Sequence, residues 1–412
     1  MSEVQPKYDL YSHDFKRNPH PTYAAMRADD PVVHHPGLGE GMLIWFVTRY
    51  DDVQAVLADS STFVLDPRLA FDPADPRLAM FANSHPVMDL VNNNLLNKDG
   101  EDHRRLRALV QKAFTPRMVD RLRPRVQAIA DELLDRVAGD GQMDLIESYA
   151  FPLPIIVILE MLGIPPEDRN QFRVWSDAFV TPDFAPGAEE RFIRSMTDFT
   201  DYLRALFAQR RAEPRADLVT ALLQAEEAGD RLSEQELFSM VVLLIVAGHE
   251  TTVGLIGNAA LTLMQHPEQM QALRDDPALT PLAVEEILRY EGPVERTITR
   301  FATRETVLAG RTLQQGDLVI AVVGSANRDG DQFADAGTFD MARNPQRHLG
   351  FGHGVHYCLG APLARLEGEI AVNTLLRRLP GLRLAADPVA LTWRTQPLFH
   401  GLVALPVKWD VA

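Results

Sequence analysis

The chain is poor in sulfur: one cysteine, Cys358, in 412 residues. A single thiol cannot close an intramolecular disulfide, so the fold is not built for an oxidising compartment. Uninterrupted apolar runs of bilayer length are also missing. The most apolar stretch, MVVLLIVAG from Met240 to Gly248, is broken by HETT before it is long enough to span, and no membrane span is expected. The opening MSEVQPKYDLYSHDF lacks the positive-then-apolar pattern of a secretory leader; a cytoplasmic location is the expectation. Basic residues are in deficit, 41 Lys and Arg against 57 Asp and Glu, for a net charge of −16. That balance argues against generic binding to nucleic acid or to anionic membranes. No repeat period and no low-complexity linker divides the chain.

What remains is ample for a large core, with 46% of residues apolar. A strand-like segment, MLIWFVTRY (42–50), precedes the helix-like DDVQAVLAD. A Pro-, Asp- and Asn-rich stretch follows from Asp66 to Gly100. The middle, from Glu101 to Tyr290, is overwhelmingly helical in pattern. From Arg300 the pattern turns to short strands in TVLAG, RTLQQG and DLVIAVVGSA. A further helix follows Cys358, and terminal strands lie around GLRLA and GLVALPVKW. The expected architecture is mostly α with small β-sheets, an α+β body formed by residues 1–412 as a single domain.

Two segments carry chemistry. Ser233 and Glu236 form a capping box that opens a helix reaching His266, where Pro267 stops it. More than thirty residues span roughly 50 Å, and a helix apolar on nearly all sides belongs in an interior. At its centre lies AGHETT, 247–252. A charged Glu250 and two threonines there cost desolvation unless paired or solvated, and Gly248 removes bulk where a partner approaches the backbone. One reading is a polar seam; the other is a cavity wall with a carboxylate and a hydroxyl placed to move protons.

The second segment is FGHGVHYCLG, 351–360, followed by LGAPLARLEGEIAVNTLLRRL with Pro362 in the first helical turn. Cys358 then sits just ahead of a helix N-terminus, where backbone N–H groups favour a thiolate. A buried small hydrophobe, a Cys–His nucleophile and a zinc ligand all compete with a fourth reading. In that reading one soft thiolate gives one axial ligand to a haem iron.

At these residues the sequence resembles the cytochrome P450 family, in its soluble actinobacterial-like class. FGHGVHYCLG fits Phe-Gly-x-Gly-x-His/Arg-x-Cys-x-Gly throughout, AGHET fits the oxygen-activating helix, and EILR (Glu286–Arg289) fits Glu-x-x-Arg. The resemblance implies a triangular-prism fold around haem b, with Cys358 as the iron ligand. It implies that His103, Arg107, Arg300 and His356 meet the propionates, which are anions needing charged donors in an apolar slot, and that Gly248 lies against the cofactor. Thr251 is to hold O₂ or a protonating water, and Glu250 is to feed protons to it. Glu286 and Arg289, joined by Arg343, are to be structural. The segment after Phe333 reads Ala334-Asp335-Ala336, lacking the proline common there in the family.

By the same resemblance the chain is a monooxygenase inserting one oxygen atom from O₂ into a hydrophobic small molecule: a macrolide or polyketide, a steroid, a terpenoid or a fatty acid. No fused reductase or ferredoxin domain is read in 1–412. Electrons are expected from NAD(P)H through a reductase and a ferredoxin or flavodoxin, docking on Arg104, Arg105, Lys112 and Arg117 of an expected monomer. Val294, Leu398 and Phe399 are the expected substrate-facing residues, with Glu295, His400 and Asn92–Asn94 as candidate polar anchors. The loop FVTPDFAPG, 179–187, is expected to join two lid helices. The rivals are a peroxide-driven haem-thiolate oxygenase acting on fatty acids, a noncatalytic haem sensor or carrier, and a cysteine hydrolase without haem.

Overall fold

A computed structural model describes residues 6–36, 43–81, 85, 87, 92–168, 171–172, 174–175, 187–225, 229–343 and 347–411. The chain divides into two compact units. One comprises Ala79–Ile129 and Phe151–Glu250; the other comprises Met1–Leu78, Ala130–Ala150 and Thr251–Ala412.

Among the described residues the first unit contains no strand. Its helix Ala188–Ala212 buries Met196, Phe199, Leu203, Leu206, Phe207 and Arg210, a single stripe at helical spacing. Phe199 is sandwiched by aromatic neighbours, stacking on Trp175 at 4.9 Å and meeting Phe172 edge-on at 5.4 Å. Arg210 ends the stripe as a buried cation. Its guanidinium donates to Asp217 at 2.5 Å and to the Gly163 carbonyl at 2.6 Å, which offsets much of the desolvation that burial imposes. Asp217 in turn caps helix Leu218–Gln224 by accepting from Thr220 N at 2.8 Å.

The second unit holds all ten described strands: β1 (Val32–Pro36), β2 (Leu43–Val47), β3 (Phe63–Val64), β4 (Gln142–Asp144), β5 (Arg300–Ala302), β6 (Thr306–Leu308), β7 (Arg311–Leu313), β8 (Leu318–Ala321), β9 (Arg383–Leu384) and β10 (Pro406–Lys408). They form a five-stranded sheet in the order β1-β2-β8-β5-β3, a three-stranded sheet β4-β10-β9, and the hairpin β6-β7. The hairpin closes through Ala309 and Gly310, both with positive φ (46° and 76°), the backbone that a tight turn between twisted strands requires. The central pair β2 and β8 is parallel, in the register Ile44↔Leu318 to Val47↔Ala321. Val47, Val53, Val319 and Ala321 are buried together in one cluster on its face.

DLVIAVVGSA does not stay extended. Only Leu318–Ala321 is strand; Val322 N makes its last bond to Val47 O (2.9 Å), and Val323–Ala326 turns helical. The small residues Gly324, Ser325 and Ala326 allow that turn to pack closely, and Gly324 N donates to Glu295 O.

The capping-box helix runs from Glu234 to Gln265 without interruption. Ser233 N donates to Glu236 Oε2 (2.8 Å) and Glu236 N to Ser233 Oγ (3.2 Å), the reciprocal pair that the sequence spells. It is long and apolar enough to cross a bilayer, yet 61% of its most apolar window is buried within the protein, as in the core helix of a globular fold.

Candidate active site

The cysteine loop is built on backbone turns that only glycine adopts cheaply. Gly352 and Gly354 both have φ of +73°. At Gly354 a Cβ would also stand 2.7 Å from the Leu57 carbonyl oxygen, so glycine is required there for conformation and for approach. The turn Gly354–His356 is 3₁₀, and Cys358 N donates to Phe351 O at 2.9 Å, closing the loop on itself. Helix Ala361–Arg378 begins three residues past the thiol, with Pro362 in its first turn. Cys358 is exposed, as are its neighbours Val355 (43%) and Tyr357 (39%). A thiol therefore stands exposed at the surface of this unit, between two partly apolar side chains that are exposed as well.

Behind the loop lies a buried charge network. Glu286 and Arg289, one turn apart on helix Thr280–Tyr290, have fully buried side chains. Arg289 donates to both carboxylate oxygens of Glu286, at 2.7 and 2.6 Å, and to the carbonyls of Asn327, Ala336 and Thr338 at 2.8–3.0 Å. Glu286 accepts again from Asp340 N (3.0 Å) and Arg343 Nε (3.3 Å), and Arg343 reaches the carbonyls of Ala334 and Asp335. These last bonds hold the segment that lacks the family's proline. The network continues to the loop itself, where Leu349 N donates to Asn327 Oδ1 at 2.7 Å.

A second brace was not visible in the sequence. Glu285 accepts from Arg365 Nε (2.6 Å) and Nη2 (2.9 Å), and lies 3.0 Å from His348 Nε2. Burial raises the Glu285 carboxyl, but His348 and Arg365 outweigh it and leave it at about 2. The Arg365 guanidinium covers the Phe351 ring at 4.5 Å.

Arg300, on β5, is buried and donates to Phe63 O at 3.0 Å; His356 is half-buried in the 3₁₀ turn. Val294, Leu398 and Phe399 are brought together. Val294 bridges Phe399 in antiparallel fashion, while Glu295 N and Arg296 N both donate to Leu398 O, at 2.9 and 3.2 Å. All three side chains are half-buried.

In the helical unit, His103 is buried and Arg107 half-buried, one turn apart on helix Gly100–Ala113. Gly248 differs from the glycines further along its helix. A Cβ at Gly254 would meet Pro293 at 2.8 Å and one at Gly257 would meet Ile146 at 2.7 Å, whereas one at Gly248 would touch only Ile158, at an ordinary 3.6 Å. The chain's own packing leaves room for a side chain at 248. Next to it, His249 is wholly buried, edge-on to Phe151 at 4.4 Å, with Nδ1 3.6 Å from Glu250 Oε1. Glu250 is buried; Thr251, the next residue along the helix, is half-buried. Thr252 is buried and hydrogen-bonds Glu367, whose carboxyl burial pushes up to about 8, the threonine working against that rise.

Three expectations change. Glu295 is no substrate anchor: it is buried in an ion-pair cluster with Lys16 and Arg296. His400 is turned to Glu291, 2.7 Å away, with Trp393 stacked on its ring. Arg105 is spent on Asp230 (3.1 Å) and Glu236, leaving Arg104, Lys112 and Arg117 as the exposed members of the basic group. Residues 179–186 of the expected lid loop lie outside the described residues, and so does nothing of Asn92–Asn94, of which Asn94 is buried and caps a short 3₁₀ turn through Leu96 N.

Comparison with known proteins matches residues 169–380 to the family described as Cytochrome P450. Cytochrome P450 107B1 of Saccharopolyspora erythraea is 46% identical over 408 residues, covering 97% of this chain and 98% of that protein. The cytochrome P450 monooxygenase PikC of Streptomyces venezuelae is 45% identical, covering 96% and 92%. Among solved structures, the myxobacterial cytochrome P450 CYP267B1 in complex with myristic acid superposes with a TM-score of 0.90 at 43% identity, covering 97% of this chain and 98% of that one.

Proposed function

The chain belongs to the cytochrome P450 family and is a monooxygenase, and from that premise we propose that it oxidises an apolar small molecule of the macrolide or polyketide kind, with Cys358 as the protein ligand of its haem. The observation that carries the ligand assignment is the exposed thiol on a glycine-turned loop ahead of a helix N-terminus. The donor set fits the group. A porphyrin would ask the chain for a single soft donor, which the Cys358 thiolate would supply. Exposed Val355 and Tyr357 suit a flat apolar partner, and Gly248 leaves space that packing does not demand.

When bound, haem supplies the activation of O₂ and the insertion of one oxygen atom into a C–H or C=C bond of the substrate. The chain's own part is electrostatic and positional. Cys358 binds as thiolate, favoured by the N–H groups at the start of helix Ala361–Arg378. Arg300, His356, His103 and Arg107 neutralise the propionates. Thr251 Oγ1 would hold a proton donor for the reaction, and the Glu250 carboxylate would resupply it. Val294, Leu398 and Phe399 exclude water from the substrate's side. Electrons come from NAD(P)H through a separate ferredoxin or flavodoxin and its reductase in the cytoplasm, with Arg104, Lys112 and Arg117 as the docking cations. Residues 1–412 act as one haem domain.

The test is reconstitution with ferredoxin, its reductase and NADPH. Erythromycin, testosterone and myristic acid are screened for low-spin to high-spin Soret shifts, and the products are then analysed by mass spectrometry. A gain of one oxygen atom on the macrolide supports the substrate class; oxidation of the fatty acid alone overturns it.

A further inference from the structure

The strip that carries Val294, Leu398 and Phe399 is not held by apolar packing alone. Beside Val294 lies a void of about 10 Å³, room for one water, whose lining includes the polar side chains of His20, Tyr23, Glu291, Glu295 and His400. Two polar side chains pin the strip from this side.

Asn258 is wholly buried on the long helix, two turns past Thr251. Its Nδ2 donates to two backbone carbonyls from two different segments, Glu291 O and His400 O, each at 2.9 Å. Gly254, one turn earlier, permits that approach, since a Cβ there would stand 2.8 Å from Pro293 Cβ. His400 N donates to Pro293 O at 2.9 Å, so both segments are tied to each other and to the helix.

The second pin comes from the N-terminal helix His13–Arg17. Lys16 is almost wholly buried, and its ammonium donates to Phe399 O at 2.8 Å and to Glu295 Oε2. Glu295 also accepts from Tyr23 Oη and lies 3.1 Å from Arg296 Nε. Arg296 donates to Tyr23 Oη and to Leu10 O, each at 2.8 Å, among the rings of Tyr11, Phe15, Tyr23 and Phe46. A lysine this deep costs desolvation that an apolar side chain of like size avoids. An apolar residue would give Phe399 O no donor.

We propose that Lys16 and Asn258 are positioning residues that fix the Val294–Phe399 strip and thereby select the shape of substrate accepted. The inference rests on the reading that this strip faces substrate. It is tested on holoenzyme by measuring dissociation constants for myristic acid, testosterone and erythromycin from their spin-state Soret shifts, together with product regiochemistry. Asn258→Leu removes both donors at similar volume. The double variant Lys16→Met/Glu295→Gln removes one buried charge of each sign, so that no carboxylate is stranded and the cluster keeps its net charge, with Arg296 still bonded to Tyr23 Oη and Leu10 O. Each is expected to keep the thiolate-type carbonyl spectrum while the ratio of dissociation constants among the three probes changes by about tenfold. Ratios and regiochemistry equal to the parent's overturn the proposal. Should either variant retain too little haem, Lys16→Arg and Asn258→Ser read the same ratios under the same two outcomes. Val294→Ala and Phe399→Leu separate the failures. If they change the ratios while the pins do not, the proposal alone falls; if they change nothing, the reading of the strip falls and takes the proposal with it.

Discussion

The cysteine loop and the AGHETT segment solve opposite problems. The loop presents its reactive atom at an exposed position and keeps its charges behind it, in the fully buried Glu286–Arg289 pair. The helix keeps its backbone regular from Glu234 to Gln265 and buries the polar groups themselves, Glu250, His249 and Thr252. Irregular backbone needs an external frame, because a loop has no ladder of its own; a helix supplies its own frame and can tolerate buried polar side chains if they are hydrogen-bonded. Substitutions in the loop's frame should therefore cost folding and cofactor retention, while substitutions in the helix's polar groups should cost chemistry.

The largest expected effect breaks the loop at its reactive atom. Cys358→Ala should lose the thiolate-type Soret band of the carbonyl complex altogether, read in a reduced difference spectrum. Next is the frame. Arg289→Met takes the closer of two guanidinium partners from the fully buried Glu286 carboxylate, leaving it Arg343 and Asp340 N, at about 3 kcal/mol. Urea denaturation and the haem-to-protein ratio should both fall sharply, whereas Thr251→Ala should leave both near the parent. Thr251→Ala should instead lower product per NADPH consumed, by a factor on the order of 100 if proton delivery sits there, with peroxide rising to match. Coupling equal to the parent's would remove Thr251 from that role.

The smallest effect sharpens the comparison on the helix side. The Glu367 carboxyl is raised from its ordinary value to about 8, by burial first and against the Thr252 hydrogen bond. A raised folded-state pKa means that its contribution to stability is complete below about 4.5 and is lost as pH rises toward about 8. Glu367→Gln should flatten that decline in urea midpoints between pH 5 and about 8.5; an unchanged slope would show that the carboxyl does not titrate there.

Much of this arrangement could be read along the chain because its signals are local. Ser233 and Glu236 are three apart, as are Glu286 and Arg289, and both pairs meet as that spacing requires. Pro362 marks the first turn of the helix behind the thiol. The pins on the substrate strip left no such trace. Lys16 lies 279 positions from Glu295, and Asn258 speaks only to backbone carbonyls, which every residue type carries. Arg105 looked like surface charge because nothing in HRRLR reveals Asp230 and Glu236 as its partners. VGSA looked like the end of a strand because the place where a ladder runs out is set by the neighbouring strand, here at Val47.

The rings around Arg296 have a practical consequence for anyone reshaping this enzyme. Residues 10–23 supply a carbonyl, three of the four rings, a hydroxyl and an ammonium to the cluster behind the substrate strip. On the role proposed for Lys16 and Asn258, shortening the front of the chain to aid expression would trim selectivity along with it. On the same proposal, mutant libraries drawn only from positions near the cofactor would pass over the residues that anchor it.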